Sequence, residues 1–193
     1  MIKIEFEKVV YERRTIRRFK KEPIPIEILK KLVDFARLAP AASNKQSLEY
    51  VIVEDSEMRS KLFPLLRWAA YLPKEQRTPK EGKRPMAYII VLNNIRIRKN
   101  APYHIGAAIE SILLGATNFG LGACWMGSID KIKIRELFKI PKHYKISHVI
   151  SLGVSDEKSQ VEPYENSFKY WKDKKGKMHV PKRSKEEIIQ KIY

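Results

Sequence analysis

The stretch Arg13-Arg14-Thr15-Ile16-Arg17 puts three guanidiniums and one hydroxyl within five residues. Guanidiniums hold phosphate in bidentate geometry, and a hydroxyl adds a neutral hydrogen bond. Taken alone, the same residues also fit a solvated basic end of a helix. A second basic pair, Lys182-Arg183, lies at the other end of the chain. The two clusters could meet at one phosphate, and their spacing alone leaves both interpretations open.

A second stretch, residues 39–46, follows at a short distance and is called the shelf below. It consists of small and amide-bearing residues with one lysine: Ala39-Pro40-Ala41-Ala42-Ser43-Asn44-Lys45-Gln46. A flat ligand could lie against backbone there. Between the two stretches, apolar residues at helical spacing predict one amphipathic helix that Pro25 begins and that ends before Pro40. A candidate phosphate-binding stretch, a helix and a shelf of small residues, in this order, indicate that the protein binds a phosphorylated cofactor.

A third stretch carries three glycines in eight residues: Gly120-Leu121-Gly122-Ala123-Cys124-Trp125-Met126-Gly127. Glycine allows backbone to approach a flat group closely. The stretch lacks the Rossmann glycine spacing and no predicted strand precedes it, which excludes a dinucleotide-binding fold. The simpler interpretation is the end of a helix that runs into a buried strand.

Composition limits the class of protein. The chain has 193 residues, 44% of them hydrophobic, which fits a single domain over residues 1–193 with a full core. The net charge of +17 raises nucleic-acid binding as an alternative. The basic residues are spread along the chain without a helix-turn-helix, zinc-finger or aromatic RNA-binding signature, so we expect no nucleic-acid partner. A basic protein still attracts phosphate-bearing ligands.

Location and metal binding are also constrained. No apolar run approaches the roughly 20 residues that cross a bilayer, and the N-terminus has no apolar signal core. We therefore expect a cytoplasmic protein with no membrane partner. A single cysteine, Cys124, excludes an internal disulfide, and four histidines without metal spacing predict no metal site. We expect Cys124 to be a small core residue rather than a nucleophile.

Hydrophobic periodicity predicts the elements along the chain. Further helices are expected over residues 4–14, from Asp55 or Ser56 to Phe63, over 104–119, from the cap Asp130 through Phe138, and after the capping box of Ser184 and Glu187. Strands are expected over residues 48–53, 86–92, 123–126 and 147–152, with a hairpin over 168–180 that turns at Lys175-Gly176. The proline-rich segment 64–85 is expected to be partly irregular. Trp68 and Tyr71 are three residues apart and would share one face of a helix there. We expect them to belong to the core rather than to a lid over the site.

In this order, the three stretches resemble the FMN-dependent nitroreductase family. Residues 13–17 are similar to its Arg-Arg/His-Ser-x-Arg/Lys element, the shelf to Ala-Pro-Ser-x-x-Asn-x-Gln, and 120–127 to Gly-Leu-Gly-x-x-Trp-x-Gly. Ser151-Leu152-Gly153 and the segment 179–183 resemble the family's later elements, so the likeness covers nearly the whole chain. It implies an α+β fold with a central, mostly antiparallel β-sheet flanked by helices. It also implies a homodimer with shared sites, for which we expect the 104–119 helix to form the core.

The resemblance also implies residue roles. Arg13, Thr15 and Arg183 would hold the FMN phosphate with Lys182 nearby, and Arg14 would contact phosphate or ribityl. Arg17 would lie near the flavin N1–C2=O edge, where a cation stabilises the anionic reduced ring. The backbone of Trp125, Met126 and Gly127 would lie near flavin N5 and O4. The partner subunit would contribute its shelf: Pro40, Ala41, Ala42, Ser43, Asn44 and Gln46.

The activity implied is an oxidoreductase that takes a hydride from NAD(P)H onto flavin N5 and passes two electrons to a nitroaromatic, a quinone or a similar small acceptor. The chain departs from the family where Ala41-Ala42 replaces a common serine and where Ser47-Leu48 replaces Pro-Trp. These departures affect the preference for an electron acceptor more than the binding of the flavin. The main alternative is an FMN-binding carrier or sensor without NAD(P)H turnover.

Overall fold

A central sheet of four strands organises the protein. The computed structural model describes residues 6–193. The strands are β1 (Leu48–Val53), β2 (Ala87–Asn94), β3 (Leu121–Met126) and β4 (Tyr144–Val154). Their order in the sheet is β1-β2-β4-β3, and every neighbouring pair is antiparallel. The predicted α+β fold with a central antiparallel sheet is confirmed.

Seven α-helices accompany the sheet in the described chain. They are α1 (Phe6–Glu12), α2 (Ile26–Arg37), α3 (Ser56–Leu62), α4 (Lys74–Arg77), α5 (Pro102–Asn118), α6 (Lys131–Leu137) and α7 (Lys185–Ile188). Helices α2 and α5 pack on one face of the sheet, where Leu32, Ile112 and Ile150 are buried together. The other face carries α3, α6 and the segment after α3, with Leu62, Ile134 and Val149 in one cluster. The β-branched strand residues thus fill two apolar layers.

Local capping chemistry sets several helix starts, as predicted. The Asp55 carboxylate accepts from the Met58 amide at 2.8 Å. Asp130 accepts from the Lys133 amide at 3.0 Å. Ser184 and Glu187 form the reciprocal capping box at α7. Each cap satisfies an amide that the first turn of a helix leaves without a partner.

Some element boundaries differ from the predictions. α5 begins at Pro102, two residues early, because proline fits the first turn, where no amide donor is needed. It ends before Gly120, whose φ is +73°. β3 begins at Leu121 and β4 extends to Val154, since these ends pair with each other. The first helix ends at Glu12 rather than at residue 14, and its predicted start at residue 4 lies outside the described residues.

A second, three-stranded sheet follows the central one. It contains β5 (Ser159–Pro163), β6 (Trp171–Lys172) and β7 (Met178–Lys182) in the order β5-β7-β6. The predicted β6–β7 hairpin is confirmed, with Gly176 at a φ of +78° in its turn. β5 runs parallel to β7 and was not predicted, because Gln160 and Glu162 give it no clear strand signature.

The segment 64–85 covers the sheet. Leu66, Trp68 and Leu72 are buried in the cluster beneath β2 and β4, so the prediction of a core role holds for Trp68. The prediction that Trp68 and Tyr71 share a helix face is wrong, because Ala69 between them has a φ of +41° and Tyr71 is 57% exposed. Tyr71 packs edge-on against Tyr170 instead, at 5.2 Å between ring centroids. Among residues 6–193, none of the helices has the length and apolar character that a membrane crossing requires.

Candidate active site

The arginine-rich stretch follows helix α1 and forms an isolated β-bridge with β3. Thr15 pairs with Ala123 of β3 in the parallel direction, and the Ile16 amide donates to the Ala123 carbonyl at 2.8 Å. Ile16 packs over Gly122, where an added Cβ would lie 2.7 Å from the Ile16 Cγ2 atom. Residues 13–17 are called the edge segment below. A backbone hydrogen bond to Ala123, and the close approach that the glycine at position 122 allows, hold this segment beside β3.

Arg13 and Arg14 extend from the start of this segment. The Arg13 Nε atom lies 3.3 Å from the Glu110 carboxylate on α5, in a partly exposed pair. The Arg14 guanidinium turns back toward α1 and donates to the Tyr11 carbonyl at 2.5 Å. Burial, and next the charge of Arg13, lower the pKa of Arg14. The two guanidiniums thus have separate partners within the chain.

Arg17 is the last residue of the edge segment. Its guanidinium stands 4.9 Å from the centre of the Tyr170 ring. Burial raises the pKa of the Cys124 thiol to about 11, and the positive charge of Arg17 opposes that rise. Cys124 is buried in the core, as predicted, and a protonated thiol is a poor nucleophile.

Glu157 is the residue that sequence reasoning missed. Its carboxylate accepts from the Arg17 backbone amide and from the Lys172 ammonium at 2.8 Å. The Glu157 side chain is only 3% exposed and that of Lys172 only 12%. Glu157 therefore joins the edge segment to the second sheet. The signal in the sequence is weak: the acidic pair Asp156-Glu157 begins four residues after the end of the predicted strand 147–152.

The shelf is exposed and contains a tight turn. Residues Ala42–Asn44 form one turn of 3-10 helix, in which Ser43 and Asn44 have φ of +55° and +51°. The Arg98 guanidinium donates to the Ala42 carbonyl at 3.2 Å. A cavity of about 360 Å³ separates the shelf from the first turn of α5. These surfaces are available to a further chain or ligand.

The C-terminal end of β3 opens onto a different cavity, of about 450 Å³, which is called the β3-end pocket below. Trp125, 39% exposed, stands edge-on to His148 at 5.4 Å between ring centroids. Ser147 Oγ and His148 Nδ1 are 2.7 Å apart. Burial, and next the charge of Lys131, lower the pKa of His148, so its imidazole is neutral at pH 7. Gly127 completes the rim, while the neighbouring Met126 is buried.

The structure brings some of the predicted site residues together and leaves others apart. The edge segment and the Trp125–Gly127 end share β3, and the shelf cavity and the β3-end pocket meet at Ala101 and Pro102. Lys182 lies opposite Pro163 in the second sheet. Arg183 donates to the Glu187 carbonyl on α7. Within residues 6–193, no hydrogen bond or ion pair links this basic pair to the edge segment, so their convergence stays a prediction.

The donor set of the edge segment suits a phosphorylated flavin. A half-exposed ion pair such as Arg13–Glu110 contributes about 0 to 1 kcal/mol, so a phosphate dianion can replace Glu110 as the partner of Arg13. From Ala123 to Gly127, β3 rises by about 13 Å, which separates the phosphate donors from the open glycine end. Arg17 adds a cation two residues after Thr15. Phosphate donors and accessible backbone therefore lie beside the same strand.

Comparisons with known proteins show the family to which the chain belongs. The model of the nitroreductase family matches residues 10–154. A relative from Archaeoglobus fulgidus, provisionally named NADH dehydrogenase/NAD(P)H nitroreductase, is 33% identical over 165 residues, which are 80% of this chain and 88% of the relative. An iodotyrosine deiodinase from Thermotoga neapolitana is 24% identical, over 76% of this chain and 86% of its own. The solved structure of an FMN-dependent nitroreductase from Clostridium difficile superposes with a TM-score of 0.62 and 27% identity, over 82% of this chain and 91% of that one.

Proposed function

The chain belongs to the nitroreductase family of oxidoreductases, and from that premise we propose that it binds FMN and uses NAD(P)H to reduce a small organic acceptor. The observation that carries the proposal is the position of the edge segment beside β3. Its backbone is bonded to β3 through Ile16 and Ala123 at 2.8 Å. It thereby holds two guanidiniums and a hydroxyl at one end of a strand whose other end is open at Gly127.

Each predicted residue has a distinct task in this proposal. Arg13 and Thr15 bind the phosphate with Arg183, while Lys182 adds charge nearby and Arg14 contacts phosphate or ribityl. Arg17 is assigned the cation beside the flavin ring; in the single chain its guanidinium lies 4.9 Å from the centre of the Tyr170 ring, and its backbone amide donates to the Glu157 carboxylate. The backbone of Trp125, Met126 and Gly127 borders the ring. Bound FMN supplies the hydride-accepting and electron-transferring chemistry.

We also propose that the site is shared within a homodimer. The shelf residues Pro40, Ala41, Ala42, Ser43, Asn44 and Gln46 are largely exposed in the single chain. The outer face of α5 carries Gly106, at which an added Cβ would meet no atom within 4 Å. A second copy packed on this face would cover both surfaces. The partner's shelf then closes the flavin site.

The visible absorption spectrum of the purified protein tests the cofactor and the activity together. We expect the absorption bands of an oxidised flavin, which bleach anaerobically with NADH or NADPH and return when menadione is added. Flavin bands that NAD(P)H does not bleach would identify a carrier or sensor. Absence of flavin after incubation with FMN would refute the proposal as a whole.

Paired arginine variants test the phosphate contacts. Arg13→Ala combined with Arg183→Ala should lose FMN and retain the circular-dichroism spectrum of the wild type, because the ion pair that the Arg13 side chain forms within residues 6–193 is with the half-exposed Glu110 carboxylate. Arg37→Ala is the matched control, since Arg37 forms an exposed pair with Asp34 at 2.7 Å on α2. FMN bound by the double variant with wild-type affinity would show that the phosphate lies elsewhere.

A further inference from the structure

The β3-end pocket has the form of a binding site for a small planar molecule. Its volume of about 450 Å³ lies within the range of ligand sites in proteins. Pro102, Ile105 and Gly106 supply an apolar wall, while the Trp125 and His148 rings stand at 84° to each other. Gly127 keeps the rim open, because a Cβ there would lie 3.2 Å from the His148 ring. An aromatic ring can pack against such surfaces.

The charged side chains that line the β3-end pocket are all positive. Lys131 and Lys145 line it, and no carboxylate is among its lining residues. Within the described chain neither ammonium takes part in an ion pair, whereas Lys133 on the same helix as Lys131 pairs with Asp130. The remaining polar groups are neutral: Asn93, Asn100, Ser147 and the His148 ring. A ligand with a negative charge therefore finds two cations and no opposing anion.

We propose that the β3-end pocket selects aromatic acceptors that carry a carboxylate. Lys131 and Lys145 bind the carboxylate, and Trp125 packs against the ring. This inference rests on the proposed function, since Gly127 and Trp125 form both the rim of the pocket and the backbone beside the proposed flavin site. The lysines set the preference among acceptors without taking part in electron transfer.

Two nearly isosteric acceptors, 4-nitrobenzoate and 4-nitrobenzamide, test the proposal. The ratio of their kcat/KM values is measured for the wild type, Lys131→Met, Lys145→Met, the double variant and the control Lys133→Met. Intrinsic reactivity and FMN content cancel when these ratios are compared between variants. We expect the ratio to fall about threefold for each single variant and about tenfold for the double variant, as exposed charge pairs allow. Lys133→Met should leave it unchanged.

Salt and direct binding complete the test. Added NaCl should lower the wild-type ratio and have little effect on that of the double variant, because salt screens exposed charges. Calorimetric binding of 4-nitrobenzoate, with the benzamide as reference, separates this inference from the proposed function. Selective binding that depends on both lysines, without turnover, would uphold the pocket and refute the activity. Turnover with equal ratios in all variants would uphold the activity and refute the pocket.

Discussion

The Lys172 ammonium donates to the Glu157 carboxylate at 2.8 Å, although these side chains are only 12% and 3% exposed. The pair lies beyond residue 154, where the match to the family ends. Glu157 also accepts from the Arg17 amide. This buried contact therefore connects the second sheet to the edge segment that the proposed flavin site requires.

Removal of one member of this pair should destabilise the protein. Lys172→Met leaves a buried carboxylate without its cation, and we expect a loss of about 3 kcal/mol in the free energy of unfolding, measured by urea denaturation. Lys61→Met is the control, because Lys61 pairs with Glu57 in an exposed position and should cost less than about 1 kcal/mol. Adding Glu157→Gln to Lys172→Met should recover part of the loss. Equal effects of Lys172→Met and Lys61→Met would contradict the importance of burial.

His179 should make stability depend on pH. Its imidazole lies 2.6 Å from the Glu162 carboxylate and 3.3 Å from that of Asp173, and these hydrogen bonds raise the pKa of His179. A raised folded pKa gives stabilisation that is complete below the unfolded pKa, about 6.5, and that is lost as pH rises through the folded value.

Thermal unfolding between pH 6 and pH 9 measures this contribution. We expect the melting temperature of the wild type to fall relative to that of His179→Gln as the pH rises. The hydrogen bond from Gln160, and next that from His179, lowers the pKa of Glu162, while the Lys177 amide and then His179 lower the pKa of Asp173. Below pH 5 the difference should narrow again, because these carboxylates become protonated and lose their part of the interaction with His179. A constant difference between the two proteins across the whole range would refute the charged state of His179.

Two glycines of α5 should respond differently to substitution. Gly115→Leu should destabilise the chain itself, because an added Cβ lies 2.6 Å from the Phe35 ring and the core is closely packed. Gly106→Leu should leave the fold intact and disrupt the proposed dimer, with loss of FMN. Light scattering after size exclusion measures the mass. A dimeric Gly106→Leu with full FMN content would place the interface elsewhere.

Cys124 should be unreactive in the native protein. Its thiol is buried, with a pKa raised to about 11, so about one thiol in a thousand is ionised at pH 8. Ellman's reagent should label less than a tenth of it in an hour and all of it in urea, and Cys124→Ala should retain FMN and activity. Rapid labelling of the native protein would show that the face beneath β3 opens to solvent.

Arg17 should affect the flavin differently from Arg13. Removal of the cation by Arg17→Leu should lower the two-electron midpoint potential of bound FMN by about 20 to 40 mV, which corresponds to 1 to 2 kcal/mol. Arg13→Ala should weaken FMN binding with little change in potential. Equal changes of potential in the two variants would contradict the separate roles proposed for the two arginines.

Local signals in the sequence predicted much of the fold. β1 has its predicted bounds, since a short β-branched run between turn residues has few other solutions. The caps at Asp55, Asp130 and Ser184 depend on residues three positions apart, which the sequence displays directly. The prediction that Trp68 and Tyr71 share a helix face is wrong because Ala69 adopts a left-handed conformation, and helical spacing does not apply across it.

Long-range contacts account for what could not be predicted. Glu157 meets Arg17 at a separation of 140 residues and Lys172 at a separation of 15, and no periodicity links such positions. β5 lies beside β7 through parallel pairing, which needs no turn between the strands. In the candidate site, the arginines and the shelf were visible as motifs. The pocket at His148 depends on a sheet register that no single sequence displays.

The bond between Ile16 and Ala123 also has a consequence for biosynthesis. A ribosome synthesises Ile16 about a hundred residues before Ala123. The contact between Arg17 and Glu157 can form only later, because Glu157 is synthesised after Ala123. During translation the arginines therefore remain undocked while β1, β2 and α5 are already available to fold. Contacts of such large sequence separation form late and slow the folding of a chain. The nascent chain can therefore form its proposed cofactor-binding segment only after Glu157 has left the ribosome.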